Sequence, residues 1–483
     1  MDRQKKNASI ILRGMATAML ICVCTIHVMG CGSSLVEEKS GRGAITDRNG
    51  LTLVANDTVA QTDSTGFTIV RRYRHPVAAQ LLGYVEVETL TDANNGGAND
   101  EGELIGKAGI EKYYDKVLRG ENGTRGKTLR LTIDYELQKL GEELMKDKSG
   151  SIVAIEPSTG EVLCMVSAPS YDPQLLSRSV AMNGLQSLLQ DSLKPLANRC
   201  IMETYAPGGV FMGAQSLVLL SEGIVTPQST YPCNAESMPN KKRPWLHRHE
   251  VPVTLAEALR TSCNGYFCHG YLDMVDNEKY GTVKKALEKW REYMVSFGLG
   301  QQLGIDLPNE KRGVIPNADY YDKKYKMQWS GKSTLDNAMG QGEISATPLQ
   351  LANLSAIIAN RGYYYIPHIV KEIEGDTIDG KYTRRQSTKV SKDACEAVID
   401  GMRLSAVNGT CKDLSKLTIE SCGISGAVPS KNNNHSAFIG FAPVDNPMIA
   451  IAVYVENDAP ASKTAITVGG KMMERYLDKY NRE

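Results

Sequence analysis

Hydrophobic and polar positions alternate over short distances between residues 42 and 145, which predicts short strands separated by turns. The stretch GAITDRNGLTLVA places the turn pair Asn49-Gly50 between two apolar runs. Residues 92–103, DANNGGANDEGE, are rich in Asn, Asp and Gly and predict an exposed loop. LRLTIDYELQKLGEELM then changes from strand alternation to a helical period, so Asp134 is the predicted N-cap of a helix.

A different pattern begins at residue 150. SIVAIEPSTGEVLCMVSAP predicts two strands around a turn at residues 157–160, an antiparallel hairpin. Helical periods dominate residues 180–370, and three apolar segments follow: GISGAVPS, HSAFIGFAPV and MIAIAVYVE. The last helix is predicted to begin at about Gly470. Strands at both ends of this region with helices between them predict an antiparallel sheet covered by helices, and the fold class is α+β.

The first 40 residues carry basic residues followed by a weakly hydrophobic run. Residues 1–13 contain Arg and Lys, and residues 14–36 are long enough, at roughly 20 residues, to cross a bilayer. Positive charge before such a run favours a cytoplasmic N-terminus, so residues 1–13 are predicted to be cytoplasmic and residues 14–36 to form a transmembrane anchor or a cleaved signal segment. The run ends in VMGCGSS, which resembles a bacterial lipoprotein signal with Cys31 as the lipidated residue. Each alternative places the bulk of the protein on the extracytoplasmic side of the cell membrane.

The charge balance narrows the classes of partner. The chain has 55 basic and 55 acidic residues, so its formal net charge is zero. No global field favours nucleic acid, and no nucleic-acid partner is predicted. The 11 cysteines do not follow a dense disulfide spacing, and their pairing is not readable from the sequence.

Several motifs resemble the class B penicillin-binding proteins, exported transpeptidases that cross-link peptidoglycan. GRGAITDRNG is similar to the opening of the family's N-terminal pedestal, and HPVAAQLLGYV and GKAGIEKYYDKVLRG resemble later parts of that pedestal. GSIVAIEPSTGEVLCMVSAPSYDP, PLANRCIMETYAPGG, FGLGQQLGIDLPNE and AMGQGEISATPLQLAN are similar to successive parts of its transpeptidase domain. The resemblance implies an elongated pedestal, of the dimerisation type, over residues 42–147 and a penicillin-binding domain, resembling serine β-lactamases, over residues 150–483.

The resemblance also implies three catalytic motifs, S-x-x-K, S-x-N and K-T-G. The first motif places a serine at a helix start and a lysine one turn later as its base. Alignment of YAPGGVFMG with that motif puts Gly209 at the nucleophile and Met212 at the base. No S-x-x-K occurs anywhere in the sequence, so the pair has not moved elsewhere.

The other two motifs are retained unequally. TSCNGYF keeps the second motif as Ser262, Cys263 and Asn264. In the third, CGISGAV has Ile424 where the family has lysine, followed by Ser425 and Gly426. The degenerate positions are therefore Gly209, Met212, Ser262, Asn264, Ile424, Ser425 and Gly426.

These substitutions predict a transpeptidase homologue without acyl-transfer activity. No cofactor is predicted. The alternative is an active D,D-transpeptidase in which Ser262 serves as a displaced nucleophile. Thiol and imidazole side chains could instead pair as disulfides or bind Zn²⁺, although their spacing is not that of a compact zinc site and no metal is predicted. The side chains concerned are Cys233, His247, His249, Cys263 and Cys268.

The predicted role is scaffolding, regulation or peptide binding in cell-wall assembly. A wall stem peptide could add as a strand beside Ser425 and Gly426. The resemblance further implies partners at the cell membrane, such as a glycan polymerase or proteins of division and elongation.

Overall fold

The structure is a computed structural model that describes the chain from residue 41 to residue 480 with gaps. The described ranges are 41–60, 67–88, 103–120, 124–176, 181–233, 252–428, 434–458 and 463–480. The predicted anchor or signal, most of the predicted loop at 92–103, and His247 and His249 lie outside these ranges. Within them, every helix is too short or too polar to span a bilayer.

The described strands form two five-stranded sheets and two small two-stranded sheets. In chain order they are β1 (Ile45–Thr46), β2 (Thr52–Ala60), β3 (Phe67–Tyr73), β4 (Val85–Glu88), β5 (Glu103–Gly106), β6 (Leu129–Leu131), β7 (Gly150–Ile155), β8 (Val162–Ala168), β9 (Tyr363–Tyr365), β10 (Val370–Ile373), β11 (Arg385–Ser387), β12 (Cys422–Val428), β13 (Asn434–Ala442) and β14 (Ile449–Asp458).

Helices fill the intervals between the strands. In chain order the α-helices are α1 (Ala79–Leu82), α2 (Gly109–Tyr113), α3 (Asp115–Arg119), α4 (Tyr135–Leu144), α5 (Ala181–Gln190), α6 (Arg199–Met202), α7 (Met212–Ser221), α8 (Leu255–Thr261), α9 (Asn264–Val275), α10 (Val283–Ser296), α11 (Ala318–Tyr325), α12 (Pro348–Ala359), α13 (Lys392–Asn408) and α14 (Thr464–Tyr480). Short 3-10 helices include Gly208–Phe211 and Lys412–Lys416.

The first sheet has the strand order β10-β6-β1-β2-β3. The predicted turn at Asn49-Gly50 connects β1 to β2, and Gly50 has the positive φ of 88° that such a turn favours. Strand β10 comes from residues 370–373 but pairs with β6, so the later part of the chain contributes an edge to this early sheet. The division into residues 42–147 and 150–483 stays a prediction.

A buried charge cluster connects segments of the chain around the first sheet. Glu111 on α2 accepts hydrogen bonds from Arg42 Nε at 2.6 Å and from Arg71 Nε at 2.8 Å. All three side chains are 2 % exposed or less. Arg42 also pairs with Asp115 at 2.8 Å, whereas the one carboxylate that Arg71 contacts among the described residues is Glu111. The Arg71 guanidinium therefore depends on Glu111, because little water reaches it.

The second sheet has the order β12-β13-β14-β7-β8 and is antiparallel throughout. The predicted hairpin is β7 and β8, and the three apolar segments near the C-terminus are β12, β13 and β14. Strands β7 and β8 are buried along their whole length, as expected of a central sheet with helices on both faces. The predicted α+β class and the antiparallel sheet are confirmed.

Two apolar helices, α7 and α12, position the region around the predicted catalytic motifs. All twelve residues of α12 are buried. The Thr347 hydroxyl caps α12 by accepting from the Gln350 N–H, and Gln350 Oε1 accepts from the Thr347 N–H. Pro348 occupies the first helical position. Helix α7 is buried from Met212 to Leu219 and follows directly on the 3-10 helix Gly208–Phe211.

The predicted start of the last helix at about Gly470 is wrong, because α14 begins at Thr464. Gly469 and Gly470 lie inside the helix rather than before it. A Cβ at Gly469 would lie 2.4 Å from the ring of Phe438 on β13, so glycine allows α14 to approach the sheet closely.

The predicted N-cap Asp134 is confirmed, and its carboxylate also connects two helices. It accepts from Leu137 N at 3.1 Å on α4 and binds Lys479 Nζ of α14 at 2.8 Å. Burial by itself raises the pKa of Asp134, but the Lys479 ammonium and the Leu137 N–H outweigh burial and hold the pKa below its usual value.

Replacement Asp134→Asn is expected to lower the free energy of unfolding by about 1–2 kcal/mol at pH 7. Because the folded-state pKa is depressed, this stabilisation is present above the unfolded pKa of about 3.9 and is lost as the pH falls through the folded value. Denaturant titrations at pH 7 and at about pH 3 measure the difference. Asp400→Asn, on an exposed position of α13, is the control. Equal stability of the Asp134 variant and the parent at pH 7 would contradict the assignment.

Candidate active site

The expected nucleophile position lies in the 3-10 helix Gly208–Phe211, where α7 begins. Gly209 therefore occupies a helix start, as the family alignment predicts, but contributes only backbone. Pro207 precedes the turn, and Gly208 has a positive φ of 60°. The structure thus has a helix start at the position where the alignment expects a nucleophile, and the residue there has no side chain.

The backbones of Gly209 and Gly426 touch. A Cβ at position 209 would lie 2.9 Å from the carbonyl oxygen of Ser425 and 3.0 Å from Gly426 Cα. A Cβ at position 426 would lie 2.5 Å from Gly209 N. Real Cβ atoms do not approach backbone atoms so closely, so β12 packs on the helix start only because both residues are glycine.

Replacement Gly426→Ala is expected to destabilise the protein by about 1–3 kcal/mol, because the methyl group must push β12 away from the helix start. Gly380→Ala is the matched control, since nothing lies within 4 Å of a Cβ placed there. Chemical denaturation of both variants gives the comparison. If both variants were as stable as the parent protein, the tight glycine contact would be wrong.

The expected base position is filled by a buried thioether. Met212 is 1 % exposed, and the Ser262 hydroxyl donates to its sulfur at 3.5 Å. A thioether is a weak hydrogen-bond acceptor and takes no proton at neutral pH. The contact between the first and second motifs therefore persists with a sulfur atom that is unable to act as a base.

The second motif lies at the junction of two helices. Ser262 ends α8 in the left-handed conformation, with φ 54°, and Asn264 begins α9. The side-chain amide of Asn264 makes no hydrogen bond to any described residue. It remains able to bind a ligand.

The third motif lies on β12, which is an edge strand of the second sheet. Ile424 pairs with Ile439 of β13 and is 1 % exposed. Its Cδ1 would lie 3.2 Å from a Cβ at Gly213, so the side chain packs on the first turn of α7. Isoleucine suits this buried strand position, and no counter-charge is needed there.

A cavity of about 290 Å³ opens between these motifs. Five of the seven predicted positions line it, whereas Met212 and Ile424 are buried behind its wall. Its described lining consists of Gly209, Ser262, Asn264, Met339, Gln341, Thr410, Ser425, Gly426, Ala427, Ser436, Ala437, Lys463, Ala465 and Ile466.

Sequence reasoning missed Gln341, Thr410, Ser436 and Lys463. Lys463 is the one formally charged side chain among the described lining residues. Its Nζ lies 3.2 Å from Asp413 Oδ2, and Lys416 Nζ lies 3.0 Å from the other oxygen of that carboxylate. Lys416 and then Lys463 hold the pKa of Asp413 below its usual value. No motif in the sequence marked Lys463, which directly precedes α14.

The cysteine and histidine alternatives are partly resolved. Cys233 and Cys263 form a disulfide, so neither offers a thiolate to a metal ion. Cys268 is buried, and burial raises its thiol pKa to about 12. Among the described residues, no three His, Cys, Asp or Glu side chains are grouped so that they could hold a metal.

Comparison with known proteins identifies the family. A family model for the penicillin binding protein transpeptidase domain matches residues 150–478, more than half of the chain. The chain belongs to the penicillin-binding protein family. A second model, for the penicillin-binding protein dimerisation domain, matches residues 64–130. The predicted family is confirmed.

Curated relatives are similar over most of the chain. The peptidoglycan D,D-transpeptidase MrdA of Acinetobacter baumannii is 29 % identical over 446 residues, which cover 80 % of this chain and 63 % of the relative. MrdA of Haemophilus influenzae is 29 % identical over 460 residues, which cover 83 % of this chain and 68 % of the relative. The chain thus spans about two thirds of the length of these relatives.

Solved structures share the fold. Pseudomonas aeruginosa PBP2 in complex with WCK 5153 has a TM-score of 0.78 and 31 % identity, covering 91 % of this chain and 96 % of that chain. A peptidoglycan synthase complex described as coordinating polymerization and crosslinking contains a chain with a TM-score of 0.76 and 25 % identity, covering 97 % and 98 %. Helicobacter pylori PBP2 in complex with MreC, at 23 % identity and a TM-score of 0.73, covering 92 % and 98 %, shows the fold alone.

Proposed function

We propose that this protein works in peptidoglycan assembly as a penicillin-binding-protein homologue that has lost acyl-transfer activity. It acts by scaffolding, regulation or peptide binding. The observation that carries the proposal is Gly209 at the nucleophile position, where a Cβ would lie 2.9 Å from the Ser425 carbonyl oxygen. A serine at this position would collide with the strand that must border its substrate.

The chemistry around the cavity supports this reading. Formation of an acyl-enzyme requires a hydroxyl and an adjacent base that accepts its proton. Met212 supplies no base, and Ile424 supplies no cation. Two of the family's polar positions, Ser262 and Asn264, persist beside the cavity. They can bind a ligand noncovalently through hydrogen bonds.

The alternative function is an active D,D-transpeptidase that attacks through Ser262. Its hydroxyl donates to Met212 Sδ. Lys463, the lysine that lines the cavity, pairs with Asp413. Among the described residues it makes no hydrogen bond to a serine. Ser262 thus has no base within the described cavity, and this favours the inactive reading.

The location and partners of the protein form part of the proposal. The bulk of the chain lies on the extracytoplasmic side, held by residues 14–36 or by lipid on Cys31. By analogy with the PBP2 and MreC complex and with the synthase complex, the partners are elongation proteins and a membrane glycan polymerase; division proteins are a further partner class. The predicted stem peptide occupies the groove beside β12.

Labelling with a fluorescent penicillin tests the loss of acyl transfer, and complementation tests the binding role. A deletion strain should be rescued by the parent gene, because the role does not use acylation. Rescue should be no better with Gly209→Ser/Met212→Lys/Ile424→Lys, whose serine meets β12 and whose two lysines replace buried apolar side chains. Rescue by the triple variant alone would contradict the proposal.

A further inference from the structure

The charge in the cavity points to an anionic ligand group. Lys463 precedes α14 and is the one charged side chain among the described lining residues. Its side chain is 48 % exposed, so its ammonium can reach a ligand. Its partner Asp413 remains paired with Lys416 if Lys463 turns toward a ligand. Asp458, near the same helix start, accepts from the hydroxyls of Ser436 and Thr464.

Two side-chain amides without a described hydrogen-bond partner line the same cavity as this ammonium. The side-chain amides of Asn264 and Gln341 make no hydrogen bond to a described residue, although both line the cavity. Each amide offers two N–H donors and one carbonyl acceptor. Together with an ammonium group, they match a ligand that has amide groups and a carboxylate.

The remaining wall is the free edge of β12. This strand pairs with β13 on one side only, and Ser425, Gly426 and Ala427 line the cavity. An extended peptide can pair with an exposed strand edge through its main chain. Hence the peptide backbone would lie along β12, and its C-terminal end would approach Lys463.

We propose that Lys463 selects ligands of this cavity, by binding the free C-terminal carboxylate of an extended peptide. The inference rests on the peptide-binding form of the proposed function. The positive charge of the site then comes from Lys463. The family alignment expects a lysine at position 424, but that position holds the buried Ile424. From position 424 to Ala427, which lines the cavity with Lys463, the strand advances roughly 10 Å. The carboxylate would therefore lie toward the Val428 end of the strand.

Binding of two matched peptides to the purified full chain tests the inference. The probes are diacetyl-lysyl-D-alanyl-D-alanine with a free C-terminal acid and the same peptide as its C-terminal amide, compared by isothermal titration calorimetry. For a half-exposed ammonium, the acid is expected to bind about fivefold more tightly than the amide. The preference should shrink in 0.5 M salt, because exposed charge pairs are screened.

Variants separate the inference from the proposed function. Lys463→Met keeps a side chain of similar length but removes its charge. The variant should bind the acid and the amide peptide with equal affinity, and its affinity for the amide should match that of the parent. Lys416→Met removes the other partner of Asp413 outside the cavity and should keep the preference for the acid.

A preference retained in Lys463→Met, or equal binding of acid and amide to the parent, overturns the inference but leaves peptide binding intact. If neither peptide binds, the peptide-binding function and the inference both fail. A covalent penicillin adduct would instead overturn only the loss of acyl transfer.

Discussion

The purified full chain is expected to carry no fluorescence after incubation with a fluorescent penicillin and denaturing electrophoresis. Acylation would need a hydroxyl at position 209, and the residue there is glycine. Loss of the nucleophile in another serine hydrolase lowers turnover by roughly a million-fold, so labelling should fall to background. The MrdA protein of Acinetobacter baumannii, treated in parallel, is the control for the assay.

Restoration variants test the steric part of this argument. Gly209→Ser/Met212→Lys/Ile424→Lys returns the three side chains but not the space between Gly209 and β12. Its labelling is therefore expected to stay far below that of the relative. A denaturation-stable adduct on the unmodified chain would show that another residue performs the attack, and Ser262→Ala would then show whether Ser262 is that residue.

Replacement Glu111→Gln is expected to lower the free energy of unfolding by about 3–5 kcal/mol. The change removes the charge that Arg42 and Arg71 share, and both guanidinium groups are almost fully buried. Arg42 keeps its contact with Asp115, but the buried Arg71 guanidinium loses its carboxylate partner and remains charged in a medium that solvates it poorly. Chemical denaturation at neutral pH measures the loss.

An exposed ion pair of the same early region provides the control. Glu103 contacts Arg119 at 2.9 Å, but its side chain is 49 % exposed. Glu103→Gln should change the free energy of unfolding by less than about 1 kcal/mol, because water and salt screen the pair. If both variants lost a similar free energy of unfolding, burial would not explain the effect of replacing Glu111.

Most regular elements follow from local pattern. The hairpin β7–β8, the N-cap Asp134 and the three C-terminal strands could be predicted because alternation, turn residues and capping residues act within a few positions of the chain. The start of α14 could not be predicted. Gly469-Gly470 indicates a helix break in isolation, and only the ring of Phe438 beneath the helix explains glycine there.

Part of the site follows from the sequence in the same way. The order of the motifs indicates the family, and the letters at 209, 212 and 424 already show that an expected hydroxyl and two expected ammonium groups are absent. Such identities need no coordinates, because each residue type fixes its own chemistry. Gln341 and Lys463 were not found, because they come from segments about 80 and 200 residues away from Ser262 and carry no motif of their own.

The sequence by itself determined the family, the α+β class and the chemical groups present at each motif. The tertiary structure alone decided that Gly209 touches Gly426, that Cys233 joins Cys263, that β10 completes the early sheet and that Lys463 lines the cavity. The physical reason is that local pattern depends on neighbours a few residues apart. Contacts between distant segments depend instead on how closely the whole sheet and its helices pack.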